Sequence, residues 1–502
     1  MAVLLGFDIG TTSTIGILID EHGNTLATVD RPVRLFAEEA NWAEEEPEQW
    51  WRNVGEVAQE LLTRANLSAE KISAIGVTGM LPAVILMDAD GNAVRRSIQQ
   101  NDARAITELE RFAAGMPEDE FLALTGTGYS QQLVGPKLMW LREREPENFK
   151  RARCVVGASD FITARLTGTL QVEHNWALES GFVDLSDGTY NSRLTELAGI
   201  DREFLAPIRQ SEEIVGKLTP QAARHLGLRD GIPVVAGCAD HVASAFVCGA
   251  SNNGDMVIKF GGAADILLSS DKPVRDRRLF MDFHIVPGLY FPNGCMAAGG
   301  NLLNWVIANL GGHEVDKARD AGKTPHQWLD EKAARAETEL LFLPYILGEK
   351  TPLMDPHARG TLVGLGLHHS LADIWRAALE GIVFGMRHHM DTFLECGLSV
   401  ADIKAADGGA SSDLWLQIAA DVLERPVQRI DNHPGSCLGA AFVAGMGTGS
   451  LSDWSQIESY VELGKEFVPR SAESVRYATK YENWRETYRR LETLYPKLPI
   501  SQ

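Results

Sequence analysis

Apolar runs of strand length punctuate the first hundred residues. Residues 3–7, 14–19 and 25–33 are three such runs, separated by "GTTS" and by Glu21-His22-Gly23-Asn24. Short apolar segments bounded by small polar residues predict a β-meander. The pattern then changes period. Pro47 stands in an acidic stretch, and Trp50, Trp51, Val54, Val57, Ala58, Leu61 and Leu62 recur at helical spacing, with proline in the first turn. Residues 72–78 predict a further strand, followed by a hairpin closing at residues 88–92. Strands, a helix and another strand together predict a mixed sheet of the α/β class.

The second half repeats this shape. Residues 232–237 predict a short strand that runs to Asp240, and small residues follow it. After Asn252-Asn253-Gly254-Asp255 the pattern restarts: a strand over 256–260, a turn at Gly261-Gly262-Ala263-Ala264 and a strand over 265–268. Two strand–small turn–strand units, one opening each half, suggest an internal duplication with a boundary near residues 246–255. Two amphipathic helices follow. One is capped by Ser370 and carries Leu371, Ile374, Trp375, Ala378 and Leu379; the other is capped by Ser411 or Ser412 and carries Leu414, Trp415, Ile418 and Val422.

Composition narrows the function. The chain has 502 residues, 45% of them hydrophobic, and a net charge of -21. That length predicts two domains, and the charge argues against nucleic-acid or anionic-membrane partners, which require clustered lysine and arginine. No apolar run is long enough to span a bilayer. The opening residues lack the basic segment of a secretory signal, and the six cysteines form no CxxC pair. The expectation is a cytoplasmic protein with reduced thiols.

Four places carry candidate chemistry. In "FDIGTTS", Gly10 permits a tight turn, Thr11, Thr12 and Ser13 offer donors to a phosphate, and Asp8 is a hard-cation ligand. A plain polar hairpin turn explains those residues better in isolation, because the motif is short. Gly261 and Gly262 could face a phosphate from the other side, again with a hairpin as the plain alternative. A strand over 403–406, the glycines of Asp407-Gly408-Gly409-Ala410 and a helix start after Ser411 make a nucleotide-type turn or an ordinary βα loop. Asp240, between a strand and a helix, is either a base for a hydroxyl group or a helix cap. Gly322-Lys323-Thr324 lacks the first glycine of a Walker A loop, since Lys317 occupies that position.

Taken together, these parts resemble the FGGY family of carbohydrate kinases. The motifs that carry the resemblance include "FDIGTTST", "QNDAR", "GIPVVAGCADHVASA", "AAGGNLLNW", "LPYILGEKTPLMDPHARGTLVGL" and "DGGASSDLWLQIAADVLERPV". The resemblance implies two RNase H-like domains of the actin/Hsp70/sugar-kinase fold flanking a cleft. Residues 1–250 would be the sugar-binding domain and 251–502 the ATP-binding domain. It implies ATP and Mg²⁺ as cofactors and a small-molecule sugar as substrate; a homodimer is compatible with it.

The resemblance also implies residue roles. Asp240 would be the catalytic base and Asp8 the metal-side carboxylate. Thr11, Thr12, Ser13, Gly261, Gly262, Gly300, Asn304, Gly408, Gly409, Ala410 and Ser411 would form the ATP site. Leu81, Pro82, Gln100, Asn101, Asp102, Asp240 and His241 would face the sugar. Within the family the pattern is most similar to the xylulose kinases, which implies a ketopentose such as D-xylulose. The departures fall at the sugar side. Pro82, Gln100 and His241 stand where xylulose kinases usually carry histidine, tryptophan and asparagine, and Gly261-Gly262-Ala263 replaces GTS. Glycerol, erythritol or ribulose are therefore alternative substrates, and a non-catalytic sugar or nucleotide sensor is the alternative class.

Overall fold

The computed structural model describes residues 2–498. Its first half begins with β1 (Val3–Ile9), β2 (Ser13–Asp20) and β3 (Thr25–Pro32), an antiparallel meander. Helix α1 (Pro47–Ala65) starts on its proline and ends where Asn66 turns left-handed at φ 50°. Its buried face (Trp50, Val54, Val57, Ala58 and Leu61) lies on β2 and β3. Each of the larger of these side chains contributes about 1.5–3 kcal/mol by leaving water.

Strand β4 (Ile72–Gly79) pairs parallel to β1. The hairpin expected beyond it is present, with bridges Met87–Ala93 and Val84–Ile98 and its turn closed by Asp88 N donating to Asn92 O at 2.9 Å. Strand β5 (Ile85–Met87) also pairs with β6 (Cys154–Val156), a partner far along the chain that local turn chemistry does not specify. Helix α2 (His174–Glu179), then β7 (Ile214–Lys217), β8 (Pro233–Val235) and β9 (Cys238–Ala239) follow. The first sheet runs β7–β8–β4–β1–β2–β3, with β9 also on β4. Helix α3 (Asp240–Phe246) leads out of it.

The second half contains β10 (Met256–Phe260), β11 (Ala264–Leu268), β12 (Phe280–Phe283) and β13 (Tyr290–Met296). Helix α4 (Gly300–Leu310), helix α5 (Leu371–Glu395), β14 (Ile403–Ala406), helix α6 (Asp413–Leu423) and β15 (Val427–Asp431) come next. Helix α7 (Ser436–Gly447), β16 (Glu462–Phe467) and helix α8 (Ser471–Leu491) complete the set that frames the site. The second sheet runs β12–β13–β11–β10–β14–β15–β16.

The two sheets share a plan. In each, an antiparallel hairpin (β1–β2, β10–β11) has its first strand parallel to a later one (β4, β14). The repeat expected from sequence is thus present in the topology, and the fold is the expected mixed α/β arrangement with two large sheets. No helix among the described residues is long and apolar enough to cross a membrane.

One element departs from chain order. Helix α7 belongs to the second half by sequence, yet it packs on β1 and β4 of the first sheet. Gly6 and Gly76 make this possible: a Cβ on either would lie 2.0 Å from a backbone carbonyl oxygen of α7, Cys437 and Ala440 respectively. A Cβ on Gly439 of α7 would lie 3.0 Å from Ala243 Cβ of α3.

Candidate active site

The two hairpins aim one charged side chain each at the space between the sheets. Asp8 stands one residue before the closing pair Ile9–Thr14, and Lys259 one residue before the closing pair Phe260–Ala264. Equivalent places in the repeat thus hold opposite charges. Both line a cavity of about 460 Å³, together with Asp240, His241, Asp265 and Asp407. That volume suits a small polar molecule and part of a second one.

Asp8 is the most perturbed of these groups near neutrality. Burial raises its carboxyl, Asp240 raises it further, and Ser436 and Lys259 oppose them, leaving a pKa of about 7. Its Oδ1 is buried and accepts no hydrogen bond. A carboxylate oxygen left bare in this way fits a hard divalent cation, which would supply the missing positive partner. Lys259 lies 3.9 Å from Asp407 Oδ2. Burial works against its charge, but Asp407, Asp265 and Asp240 outweigh it and hold the ammonium above the usual lysine range.

Asp240 opens α3 immediately after β9, and Thr78 Oγ1 fixes β9 by donating to Cys238 O at 2.7 Å. Asp240 Oδ1 accepts the N–H of His241 at 2.6 Å. Its side chain remains about one-third exposed, at 34%. Among the described residues lining the cavity, it is the carboxylate at a helix start.

His241 follows with both ring nitrogens toward carboxylates: Nε2 is 2.9 Å from Asp282 Oδ2 and Nδ1 is 3.4 Å from Asp240 Oδ1. Burial works against the imidazolium, but Asp282, Asp240 and Glu179 prevail and hold it protonated well above the ordinary histidine range. Glu179 ends α2, and burial, then the charge of Asp282, pushes its carboxyl well above the usual range. Asn293 Nδ2 donates to Asp282 Oδ2 at 2.6 Å. Asn175 clips this wall together: its side chain donates to Phe283 O at 3.0 Å and accepts from Phe283 N at 2.7 Å.

A second cavity of about 570 Å³ shares Asp407 and His433 with the first and is lined by Gly408, Ala410 and Ser411. Asp407 has a φ of 72°, which a non-glycine residue rarely adopts. Ser412, not Ser411, caps α6, its Oγ accepting Trp415 N at 3.1 Å. Gly409 is packed instead, since a Cβ there would meet Trp415 and Phe260.

The expected residues divide accordingly. Asp8, Leu81, Gln100, Asp240 and His241 line the first cavity. Thr11, Thr12 and Ser13 form the hairpin turn beyond Asp8, closed by Gly10 N donating to Ser13 O at 3.0 Å. Gly261 and Gly262 accept from the first amides of α4, with Gly300 N 2.9 Å from Gly261 O. These two turns and Gly409 adjoin the cavities without lining them, and four more expected residues lie away from both linings. Asn304 Oδ1 lies 3.2 Å from His326 Nε2. Pro82 is buried behind Leu81, and Asn101 is exposed. Asp102 is buried with both oxygens engaged, by Arg104 and by Ala43 N at 2.6 Å, so it holds a turn and has no lone pair facing a ligand.

Sequence reasoning missed Lys259, Glu179 and Asp282. A signal existed for two of them: "MVIKF" and "FMDF" each place one charge inside an apolar strand.

Comparison with known proteins agrees with this architecture. Residues 3–247 match the N-terminal domain, and residues 257–448 the C-terminal domain, of the FGGY family of carbohydrate kinases. A xylulose kinase of Bacillus subtilis is 27% identical over 491 residues, covering 97% of each chain. The crystal structure of xylulose kinase from Rhodospirillum rubrum superposes with a TM-score of 0.93 at 41% identity, covering 98% of this chain and 99% of that one. The crystal structure of gluconate kinase from Lactobacillus acidophilus gives a TM-score of 0.90 at 26% identity, covering 99% of each.

Proposed function

The chain belongs to the FGGY family of carbohydrate kinases, and from that premise we propose that it transfers the γ-phosphoryl group of ATP to a hydroxyl of a ketopentose such as D-xylulose, with Asp240 as the base. The observation that carries the base assignment is the placement of Asp240. Its Oδ1 is occupied by the His241 amide, while one-third of the side chain stays open to the cavity. Oδ2 is therefore the atom that accepts the hydroxyl proton.

Asp8 is the residue to hold a magnesium ion, on the strength of its bare buried Oδ1. When bound, that ion would neutralise phosphate charge. Lys259 and the donors of Thr11, Thr12 and Ser13 would orient the phosphates, beside the turn of Gly261 and Gly262 that Gly300 secures. Gly408, Ala410 and Ser411 would receive the nucleoside, placing ATP on residues 251–502 and the sugar mainly on residues 1–250. Enclosing the acceptor between two walls excludes water from the transferring group.

The test is a panel of ketopentoses, aldopentoses, polyols, glycerol and gluconate scored by substrate-dependent ADP release. Asp240→Asn should bind ATP normally and lose roughly 10²- to 10⁴-fold in turnover. Near-wild-type turnover by that variant would remove Asp240 as the base. Binding of a sugar with no ADP release by the wild type would instead support a sensor.

A further inference from the structure

Asp240 follows a two-residue strand and opens a seven-residue helix, so little secondary structure holds its side chain. What does surround it is an ordered set of charges drawn from four other elements. Glu179 comes from α2, Asp282 from β12 and Asp8 from β1; Lys259 of β10 faces Asp240 and Asp8 across the cavity, and His241 is the cation in direct contact with Asp240. Glu179, His241 and Asp282 offer ligand atoms within 4.8 Å of one another. The Asp282 side chain is only 3% exposed, and its Oδ2 takes both His241 Nε2 and Asn293 Nδ2. A buried carboxylate anchored twice is a fixed point, and the imidazole ring is rigid.

Building on the kinase reading above, we propose that His241, anchored by Asp282, is a positioning residue that pins Asp240 Oδ1 and so presents Oδ2 alone to the acceptor hydroxyl. Both nitrogens of the ring face carboxylates, an arrangement that an imidazolium, with a hydrogen on each nitrogen, satisfies on both sides. Its charge also compensates the carboxylates around Asp240. Without it, the crowded acids would take up a proton, and a protonated Asp240 cannot act as a base. The pattern of the resemblance has asparagine at this position. An amide can form hydrogen bonds but cannot supply the charge, so the array of Glu179, Asp282 and histidine works as one unit.

The experiment compares His241→Asn, His241→Gln and Asp282→Asn with wild type by steady-state kinetics from about pH 5.5 to about pH 9. ATP affinity measured by calorimetry verifies folding. Expected for both His241 variants is a fall in kcat of about 10- to 100-fold, with sugar KM changed less than about threefold. Asp282→Asn should release the ring to titrate near its ordinary value of about 6.5, so activity falls as pH rises through that value, a limb the wild type lacks. Superposable pH profiles for Asp282→Asn and wild type would overturn the proposal. So would a His241 variant that changes only sugar KM, which would make His241 a direct substrate contact. A tightly held zinc or manganese ion found by elemental analysis and lost in Asp282→Asn would also overturn it.

One readout is independent of turnover. The ring protons of His241 in nuclear magnetic resonance should report a charged ring throughout the neutral range, shifting to ordinary titration in Asp282→Asn. A wild-type midpoint near about 6.5 would refute the positioning role whatever the substrate proves to be. If this readout is as expected while no sugar is turned over, the failure lies with the kinase reading and not with the array.

Discussion

A single methyl group on Gly76 should damage both the stability and the activity of this protein. A Cβ at that position would lie 2.0 Å from Ala440 O and 2.8 Å from Ala440 C, both backbone atoms inside α7. Ordinary contact begins near 3.4 Å, so the helix must retreat by about 1.4 Å or the strand must bend. Neither yields easily, because α7 is buried over ten of its twelve residues. Overpacking of this kind costs about 1–3 kcal/mol. The displacement also reaches the site, since α7 begins with Ser436 beside Asp8 and packs through Gly439 on the helix that bears Asp240. Gly76→Ala should therefore lower the urea midpoint by an amount equivalent to about 1–3 kcal/mol and reduce kcat with it. Gly312→Ala is the control. Nothing lies within 4 Å of a Cβ there, and the residue begins a helix, so the change should be neutral or slightly stabilising. A Gly76→Ala protein within about 0.5 kcal/mol of wild type, with unchanged kcat, would refute the claim that glycine is needed for this approach.

Two further predictions concern charge. Asp8 keeps its proton up to about pH 7 in the folded chain but loses it near about pH 4 when unfolded. The folded state therefore binds more protons across that window, and stability falls as pH rises through it. Asp8→Asn, measured with chelator present, should raise the melting temperature above pH 7 and leave it unchanged near about pH 4, while abolishing phosphorylation; equal shifts at both pH values would sink the argument. Lys137 is fully buried, and its Nζ donates to Gln99 O at 2.9 Å, Gln100 O at 3.3 Å and Gln132 O at 3.5 Å, thereby holding two cavity-lining residues. Lys137→Met should raise sugar KM roughly tenfold with little effect on ATP KM, and parallel changes in both would show a global defect instead.

The chain's periodicity made the frame legible. The meander, the helix opening on Pro47, and the hairpin restarting at residue 256 all appear in the structure, because each is set by local patterning. Asp240 was legible for a similar reason: a carboxylate where an apolar run meets a helix is conspicuous. The wall formed by Glu179, Asp282 and Asn293 was not. These three are more than a hundred residues apart at their extremes and meet only when α2 clips to β12 through Asn175. The motif around Asn101 and Asp102 is a different case. It looks like a recognition motif, yet Arg104, two residues on, consumes the Asp102 carboxylate. The partner of β5 was likewise out of reach, since its pairing spans 67 residues of chain from Met87 to Cys154.

Because α7 covers the β1–β4 face, the two halves are not interchangeable cassettes. A fragment ending near residue 250 would expose the floor around Gly6 and Gly76 to water and to its neighbours, and would aggregate where an intact chain is covered. A hybrid made by joining one relative's first half to another's second half would inherit a mismatched lid over its own Asp8. Any recombination meant to move sugar preference between members of this family must carry residues 436–447 along with the first half, so the unit of inheritance for the acceptor site is discontinuous in the gene.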